Sequence, residues 1–430
     1  MKKSFYVPIN QLQVGLFVDL ELSWTEHPFL FSKFKIKQQD EIAQIRKLGL
    51  QKILVIIKKS APEALRQITD QPAELDEFAI EPDPTGDGTQ NNSDLDTLWT
   101  QKKQSIDKAE EYRKERRKTA QRYRETQKRV SNLVRNLRLA PANAIRDADE
   151  VIGDISSLLA SQTNIVVSMV SLEAGEFNLQ NHALNVTVLA MMLAKSLDVA
   201  ADDMHNLGVA CILHDIGKIV LPQGIVHKVG SLNAVEQDVM KTHVNKGLAL
   251  LSRVKNIEPV ALEMIADHHV YLDGSGYPAA PRHGELSVLS RILQVANHYD
   301  SMCNPNDPAL AVSPKIAMAK LFSNYEGKLD SYYIHQFVRN FGVYPPGCVV
   351  KLSDDSIALV SSVDSDNLLA PTVIVYNPDI PANQALMLNL VDHEELSIVQ
   401  ALKPGEYSPE LNAYLGLEDR LGFFFGSPKN

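Results

Sequence analysis

Residues Leu207–Val220 read LGVACILHDIGKIV, and residues His268–Pro278 read HHVYLDGSGYP. The first is an apolar helical run that ends in an adjacent His214–Asp215 pair, with Lys218 one turn further on. The second closes another helix with paired histidines and passes into a turn holding two glycines. Neighbouring side chains on an α-helix point about 100° apart. His214 and Asp215 can therefore reach neighbouring metal ions, or Asp215 can bridge two. Lys218, three and four residues later, shares their face. A cation there is placed to meet a phosphate oxygen or to protonate a leaving alkoxide. His268 and His269 diverge in the same way and could serve one ion each.

The surrounding sequence makes these pairs part of a set. VTVLAMMLAKSLDVA, VEQDVMKTHVNKGLALL, ALEMIADHHV and LSRILQVANHYDSM carry apolar residues at spacings of three and four, so residues 145–340 are expected to be mostly helical. Of 12 histidines, nine fall between His182 and His298. A lone histidine on an apolar face is ordinarily a satisfied core residue. His182, His214, Asp215, His243, His268 and His269 lie on successive predicted helices, and bundles build metal centres by projecting such side chains inward. Imidazole and carboxylate without thiolate suit iron, manganese or zinc. Two such ions stabilise an in-line displacement at phosphorus.

Outward from this core the pattern changes. Residues 4–58 alternate short β-rich runs (FYVPI, LFVDLEL, KILVII) with a helix over roughly Gln39–Leu48, and Gly49 sits where a C-cap belongs. Residues 71–97 include an acidic, Pro- and Gly-rich stretch without Lys or Arg as far as Asp94, expected to be a flexible linker. Between Gln101 and Arg138 stand fourteen Lys or Arg against five Asp or Glu, with no Gly or Pro, which predicts a long basic helix over 98–144. It reads as a signalling or dimerisation helix, as a nucleic-acid or membrane surface contact, or as a solvated helix packed along one thin apolar edge. Beyond Tyr344, CVVKLSD, SIALVSSVD and TVIVYNP predict strands of a small β-appendage, and the last 30 residues read as loops.

Bulk properties narrow the function. Net charge is -10, which argues against a DNA-binding chain. Cys211, Cys303 and Cys348 form no CxxC pair, so neither a disulfide framework nor a zinc-thiolate site is expected and a cytoplasmic setting fits. No apolar run reaches the 18 or so residues of a membrane span.

HDIGK together with H-H-x-x-x-D-G-x-G-Y-P resembles the HD-GYP subfamily of the HD phosphohydrolases. The intervening Pro222, Lys228, Gly230, Leu232, Glu236, Met240 and His243, and the stretch FGVYPPGCVVKL, are similar to it as well, so the likeness covers roughly residues 145–355. LQVGLFVDLELSWTEHPF resembles a small domain of unknown function that often precedes it. The resemblance implies a mainly α protein: an all-helical HD-type bundle over 145–345, a small α/β N-terminal domain over 1–70 and a β-rich appendage over 346–430.

It also implies a metal-dependent phosphodiesterase that hydrolyses cyclic di-GMP to linear pGpG or GMP. Its metal ligands would be His182, His214, Asp215, His243, His268 and His269, holding two divalent ions, iron or manganese. Lys218 and Asp215 would be catalytic. Asp273, Gly274, Gly276, Tyr277 and Pro278 would shape the substrate mouth and meet protein partners, and a homodimer could form through residues 98–139. Four departures stand out, one of them Val270 where a Glu often follows the paired histidines. Asn297 occupies the place of a ligating Asp, with Asp300 one turn away able to stand in. Asn178 replaces the acidic residue of three-metal members, and Asn306 and Ala309 lie where basic residues usually hold substrate. These departures motivate the alternative of a degenerate module that binds a nucleotide or a partner protein.

Overall fold

A computed structural model describes residues 4–22, 26–29, 31–69, 93–139, 141–161, 166–172, 179–279, 285–393, 396–403, 405–417 and 420–426. Most of the acidic stretch, and Asn178, lie outside the described residues. The chain divides into an N-terminal unit, Met1–Glu110 with Asn377–Leu386, and a larger unit, Glu111–Tyr376 with Met387–Asn430.

In the first unit, β1 (Ser4–Pro8), β2 (Phe17–Asp19), β3 (Lys33–Lys35) and β4 (Lys52–Ile56) form an antiparallel sheet in the order β1-β4-β2-β3. Alternation along β4 buries Ile53 and Val55 with Ile42 and Ile45 of α1 (Gln39–Arg46), and Ala64 and Ile68 of α2 (Pro62–Thr69) join that core. Gly49, at φ +72°, follows the end of α1. This left-handed backbone position suits glycine.

The basic run forms α3 (Ser93–Leu139), followed by α4 (Pro141–Ala160). Tyr123, Val130, Leu133 and Leu137 of α3 are buried in the core of the larger unit, while Arg122, Arg124 and Lys128 face solvent. The thin apolar edge read from the sequence is therefore used within the chain.

Strand β5 (Val166–Leu172) comes next, then the helical bundle: α5 (Leu179–Ser196), α6 (Ala201–Leu213), α7 (Gln223–Val226), α8 (Ala234–Lys241), α9 (His243–Leu251), α10 (Pro259–Asp267), α11 (Val288–Cys303), α12 (Pro314–Asn324) and α13 (Ser331–Phe341). From Ala183 to Ala194 every residue of α5 is buried, which marks it as the central helix.

The chain ends in β6 (Val349–Leu352), β7 (Ile357–Asp364), β8 (Thr372–Val375), β9 (Met387–Asn389), β10 (Ile398–Ala401), α14 (Pro409–Leu415) and β11 (Arg420–Phe425). All pairings in this sheet are antiparallel. The three predicted strands are present as β6, β7 and β8. Two elements differ from expectation. The sheet runs β10-β6-β7-β5-β11, so β5, from inside the helical stretch, joins the appendage. The tail read as loops supplies β11, whose Phe423, Phe424 and Phe425 are buried in the helical core. Both strands take their stability from each other and from the bundle, and such long-range pairing leaves little local signal. No helix among the described residues is long and apolar enough to cross a membrane.

Candidate metal centre

The predicted ligands come from four places around α5. His182 lies near the start of α5, and His214 caps the C-terminus of α6. His243 opens α9, and His268 caps α10 with His269 following. The HD run is not one continuous helix. α6 stops at Leu213, and Ile216–Val220 form a tighter 3-10 turn carrying Lys218. Packing explains the change. A Cβ on Gly217 would stand 1.9 Å from the His243 carbonyl oxygen and 2.6 Å from the Gly247 nitrogen, so only glycine lets this turn lie against the first turn of α9.

The six side chains converge into two groups that share Asp215. One comprises Asp215, His243, His268 and His269, the other His182, His214 and Asp215, with the ligand atoms of each group within 4.8 Å of one another. His268 and His269, expected to serve one ion each, fall in the same group. Asp215 Oδ1 is 3.1 Å from His243 Nε2 and 3.9 Å from His268 Nε2, whereas Oδ2 is 3.5 Å from Nε2 of both His182 and His214. Lys218 Nζ donates to Oδ2 at 2.5 Å.

Hydrogen bonding on the far side of each ring shows what these nitrogens are for. Nδ1 of His214, His243 and His268 each lies 2.7 Å from a backbone carbonyl, of Cys211, Met240 and Ile265 respectively. A carbonyl only accepts, so each Nδ1 carries the proton and each Nε2 presents a lone pair. Yet His243 Nε2 faces His268 Nε2 at 3.1 Å, and His214 Nε2 faces His182 Nε2 at 3.3 Å. Buried Asp215 Oδ1 has no hydrogen-bond donor among the described residues. Lone pairs and a carboxylate oxygen turned toward one another repel unless a cation lies among them, so this donor set fits divalent metal ions.

Burial lowers the pKa of His214, and those of His268 and His269 fall well below the ordinary value, again mainly through burial with nearby histidines adding to it. All three are neutral and ready to ligate. Burial pushes the Asp215 carboxyl up, but the Lys218 ammonium beside it acts in the opposite direction, and the carboxyl lies well below the usual carboxylate range.

Helix α11 closes the His182 side. Asn297 Oδ1 is 3.0 Å from His182 Nε2, which places this neutral amide where it can ligate. Asp300 does not stand in as a ligand. Its Oδ2 accepts from His182 Nδ1 at 2.6 Å, and its Oδ1 accepts from Asn185 and Asn304, both at 2.8 Å. It is fully buried and fixes the tautomer of His182, so that Nε2 points into the site. The sequence left open whether Asp300 could stand in for Asn297, since contiguity along α11 does not reveal which oxygen meets which neighbour.

The glycine-rich turn lies beside the first group. Tyr277 stacks on His269 with ring centroids 4.4 Å apart, and its N–H donates to the His269 carbonyl at 3.0 Å. Gly276 has φ +96°, and a Cβ there would stand 2.1 Å from that carbonyl. Exposed Asp273 accepts from the Ser275 N–H and hydroxyl at 2.9 and 2.6 Å, Gly274 has φ +77°, and Pro278 follows Tyr277. Tyr271 and His298, not singled out from the sequence, meet here with Tyr271 Oη 3.0 Å from His298 Nε2, and Tyr325 packs against His298. Asn306, one of the residues in place of a basic side chain, donates to the Val226 carbonyl at 2.5 Å.

Comparison with known proteins places these features in context. Residues 156–332 match the HD domain family, and residues 5–148 match a domain of unknown function, DUF3391. The chain is 24% identical to the cyclic di-GMP phosphodiesterase PA4108 of Pseudomonas aeruginosa, over 86% of this chain and 84% of that protein. It is 34% identical to 3'3'-cGAMP-specific phosphodiesterase 2 of Vibrio cholerae, over 28% of this chain and 23% of that protein. Among solved structures, Bd1817, an HDG"Y"P protein from Bdellovibrio bacteriovorus, aligns with 14% identity and a TM-score of 0.34, covering 78% of this chain and 98% of that one.

Proposed function

We propose that this chain, with an HD domain over residues 156–332 and a DUF3391 domain ahead of it, is a two-metal phosphodiesterase of the HD-GYP type opening cyclic di-GMP to linear pGpG or GMP. The observation that carries this reading is Asp215, whose two oxygens face two separate sets of imidazole lone pairs. Asp215 with His243, His268 and His269 would hold one ion; Asp215 with His182, His214 and Asn297 would hold the other, with iron or manganese matching the donors. When bound, such a pair supplies Lewis-acid charge neutralisation at the phosphate and makes water a stronger acid.

The chain's own groups do the rest. Hydrolysis forms a bond from a water oxygen to phosphorus, breaks the bond from phosphorus to the ribose oxygen, and places a proton on the departing alkoxide. Lys218, anchored by Asp215 and partly open to solvent, is the cation positioned to neutralise that charge or supply the proton. Asp215 acts as a carboxylate, with the Lys218 ammonium beside it favouring the charged form. The turn Asp273, Gly274, Gly276, Tyr277 and Pro278 forms the rim against which substrate rests, with Tyr277 locking His269 in place.

Cyclic di-GMP is chosen because the Pseudomonas relative, matched along most of both chains, is named for it. A second reading, a module that binds the nucleotide without cleaving it, is favoured by one observation: neutral Asn297 stands beside His182. Anaerobically purified protein loaded with Mn(II) or Fe(II) should convert cyclic di-GMP to a linear product seen by chromatography. Saturable binding of cyclic di-GMP by fully loaded protein, with no product, would establish the second reading instead. Faster cleavage of 3'3'-cGAMP would move the substrate assignment.

A further inference from the structure

Asn185 lies one turn beyond His182 on α5, is fully buried, and has every hydrogen-bonding position filled. Its Nδ2 donates to Asp300 Oδ1 at 2.8 Å and to the Leu421 carbonyl at 2.9 Å. Its Oδ1 accepts from the Phe423 N–H and from the Tyr123 hydroxyl, both at 3.1 Å. Asn304, one turn beyond Asp300, makes a parallel connection. Its Nδ2 donates to Asp300 Oδ1 at 2.8 Å and to the Leu421 carbonyl at 3.0 Å, and its Oδ1 accepts from the Leu421 N–H at 3.0 Å. The backbone partners fix both amide orientations, since an N–H only donates and a carbonyl only accepts. The Asp300 carboxylate, which orients His182, is thus held by two amides that are themselves clamped to strand β11, and one of them is clamped to α3.

Resting on the reading of His182 as a metal ligand, we propose that Tyr123 of α3 and strand β11 are positioning elements of the metal centre, acting on His182 through Asn185 and Asp300. Both lie outside the segment that matches the HD domain: Tyr123 falls within the DUF3391 match, and β11 lies near the C-terminal end of the chain. Three hydrogen bonds connect Tyr123 to His182 Nδ1. The Tyr123 ring is held from the other side as well. It packs edge-on to Phe424, with centroids 5.9 Å apart, and a Cβ on Gly422 would meet its Cζ at 3.1 Å and Cε2 at 3.2 Å. The hydroxyl stays protonated, because burial raises its pKa well above the ordinary tyrosine value, and so it remains a donor. Low-dielectric networks of this kind gain strength from being fully satisfied, and loss of one donor is felt along the chain of bonds. The consequence is that a small movement of α3 at Tyr123 reaches the pocket of the second ion without touching the first.

The test uses the full-length chain and Co(II), whose visible absorption reports the ligand field. Wild-type protein should take up two Co(II), the weaker step being the pocket of His182, His214 and Asn297. Tyr123→Phe keeps the ring and removes only the hydroxyl. It should weaken the second step by about 3- to 10-fold, the scale of one lost hydrogen bond. The absorption band of the second step should shift, and the first step should stay unchanged. Gly422→Ala, which presses on the same ring from β11, should act in the same direction. A Tyr123→Phe protein with wild-type isotherm and spectrum would overturn the proposal, and so would one that only melts at lower temperature. A wild-type protein that binds one ion or none overturns both this proposal and the functional reading beneath it, whereas two ions with an indifferent Tyr123→Phe defeat this proposal alone.

Discussion

Replacing Gly217 by alanine should disable the metal centre far more than it destabilises the fold. The added Cβ would stand 1.9 Å from the His243 carbonyl oxygen, so relief to 3.4 Å, where ordinary contact begins, requires an opening of 1.5 Å between the 3-10 turn and α9. Neither side is free to yield alone. Asp215 immediately precedes the turn and His243 is the residue struck, and their ligand atoms face each other at 3.1 Å. Overpacking of this kind costs about 1–3 kcal/mol, which in a unit of this size lowers Tm by only several degrees. Metal sites tolerate ligand displacements of about 0.2 Å. The expected result is a folded Gly217→Ala protein, by circular dichroism and thermal melting, that retains little metal by elemental analysis after anaerobic loading. Wild-type metal content in this variant would refute the argument that the glycine exists to bring Asp215 and His243 together.

Other substitutions probe single roles. Lys218→Ala should keep both ions and lower turnover of cyclic di-GMP by about 10²-fold or more, the scale of a positioned electrostatic group; unchanged turnover would remove Lys218 from the reaction. Asn297→Asp should tighten the second ion, because a carboxylate adds charge and a stronger oxygen ligand beside His182, and isothermal titration reads the change directly. Asp300→Asn should weaken the same ion by about 10- to 100-fold, as loss of a ligand's hydrogen-bond partner does. Its first ion should be spared, and a variant losing both would mean that Asp300 supports the whole bundle rather than His182.

The helical bundle and the convergence of the candidate ligands were legible because these side chains sit at or near helix ends, four of them in two short motifs. HDIGK and HHVYLDGSGYP carry their chemistry locally, and the apolar spacing of their neighbours fixes which way they face. The 3-10 turn after His214 was not legible, because it answers to α9, which begins 26 residues downstream of Gly217, through a close contact that only coordinates reveal. The role of Asp300 was missed for a related reason. Its position on α11 suggested a spare ligand, but its oxygens are taken by His182, Asn185 and Asn304. Strands β5 and β11 escaped notice because they pair with each other across about 250 residues of chain, a distance at which sequence pattern carries little information about partners. Tyr123 was read as part of a charged helix, and its burial follows from the strand that covers it.

The central claim is that Asp215 bridges two ions. Equilibrium titration of the metal-stripped chain with Mn(II), followed by electron paramagnetic resonance, tests it most directly. The account predicts two ions per chain, a spin-coupled pair at full loading, and an Asp215→Asn protein in which both binding steps weaken together. A stoichiometry of one, two uncoupled ions, or an Asp215→Asn protein in which only one step changes would contradict it.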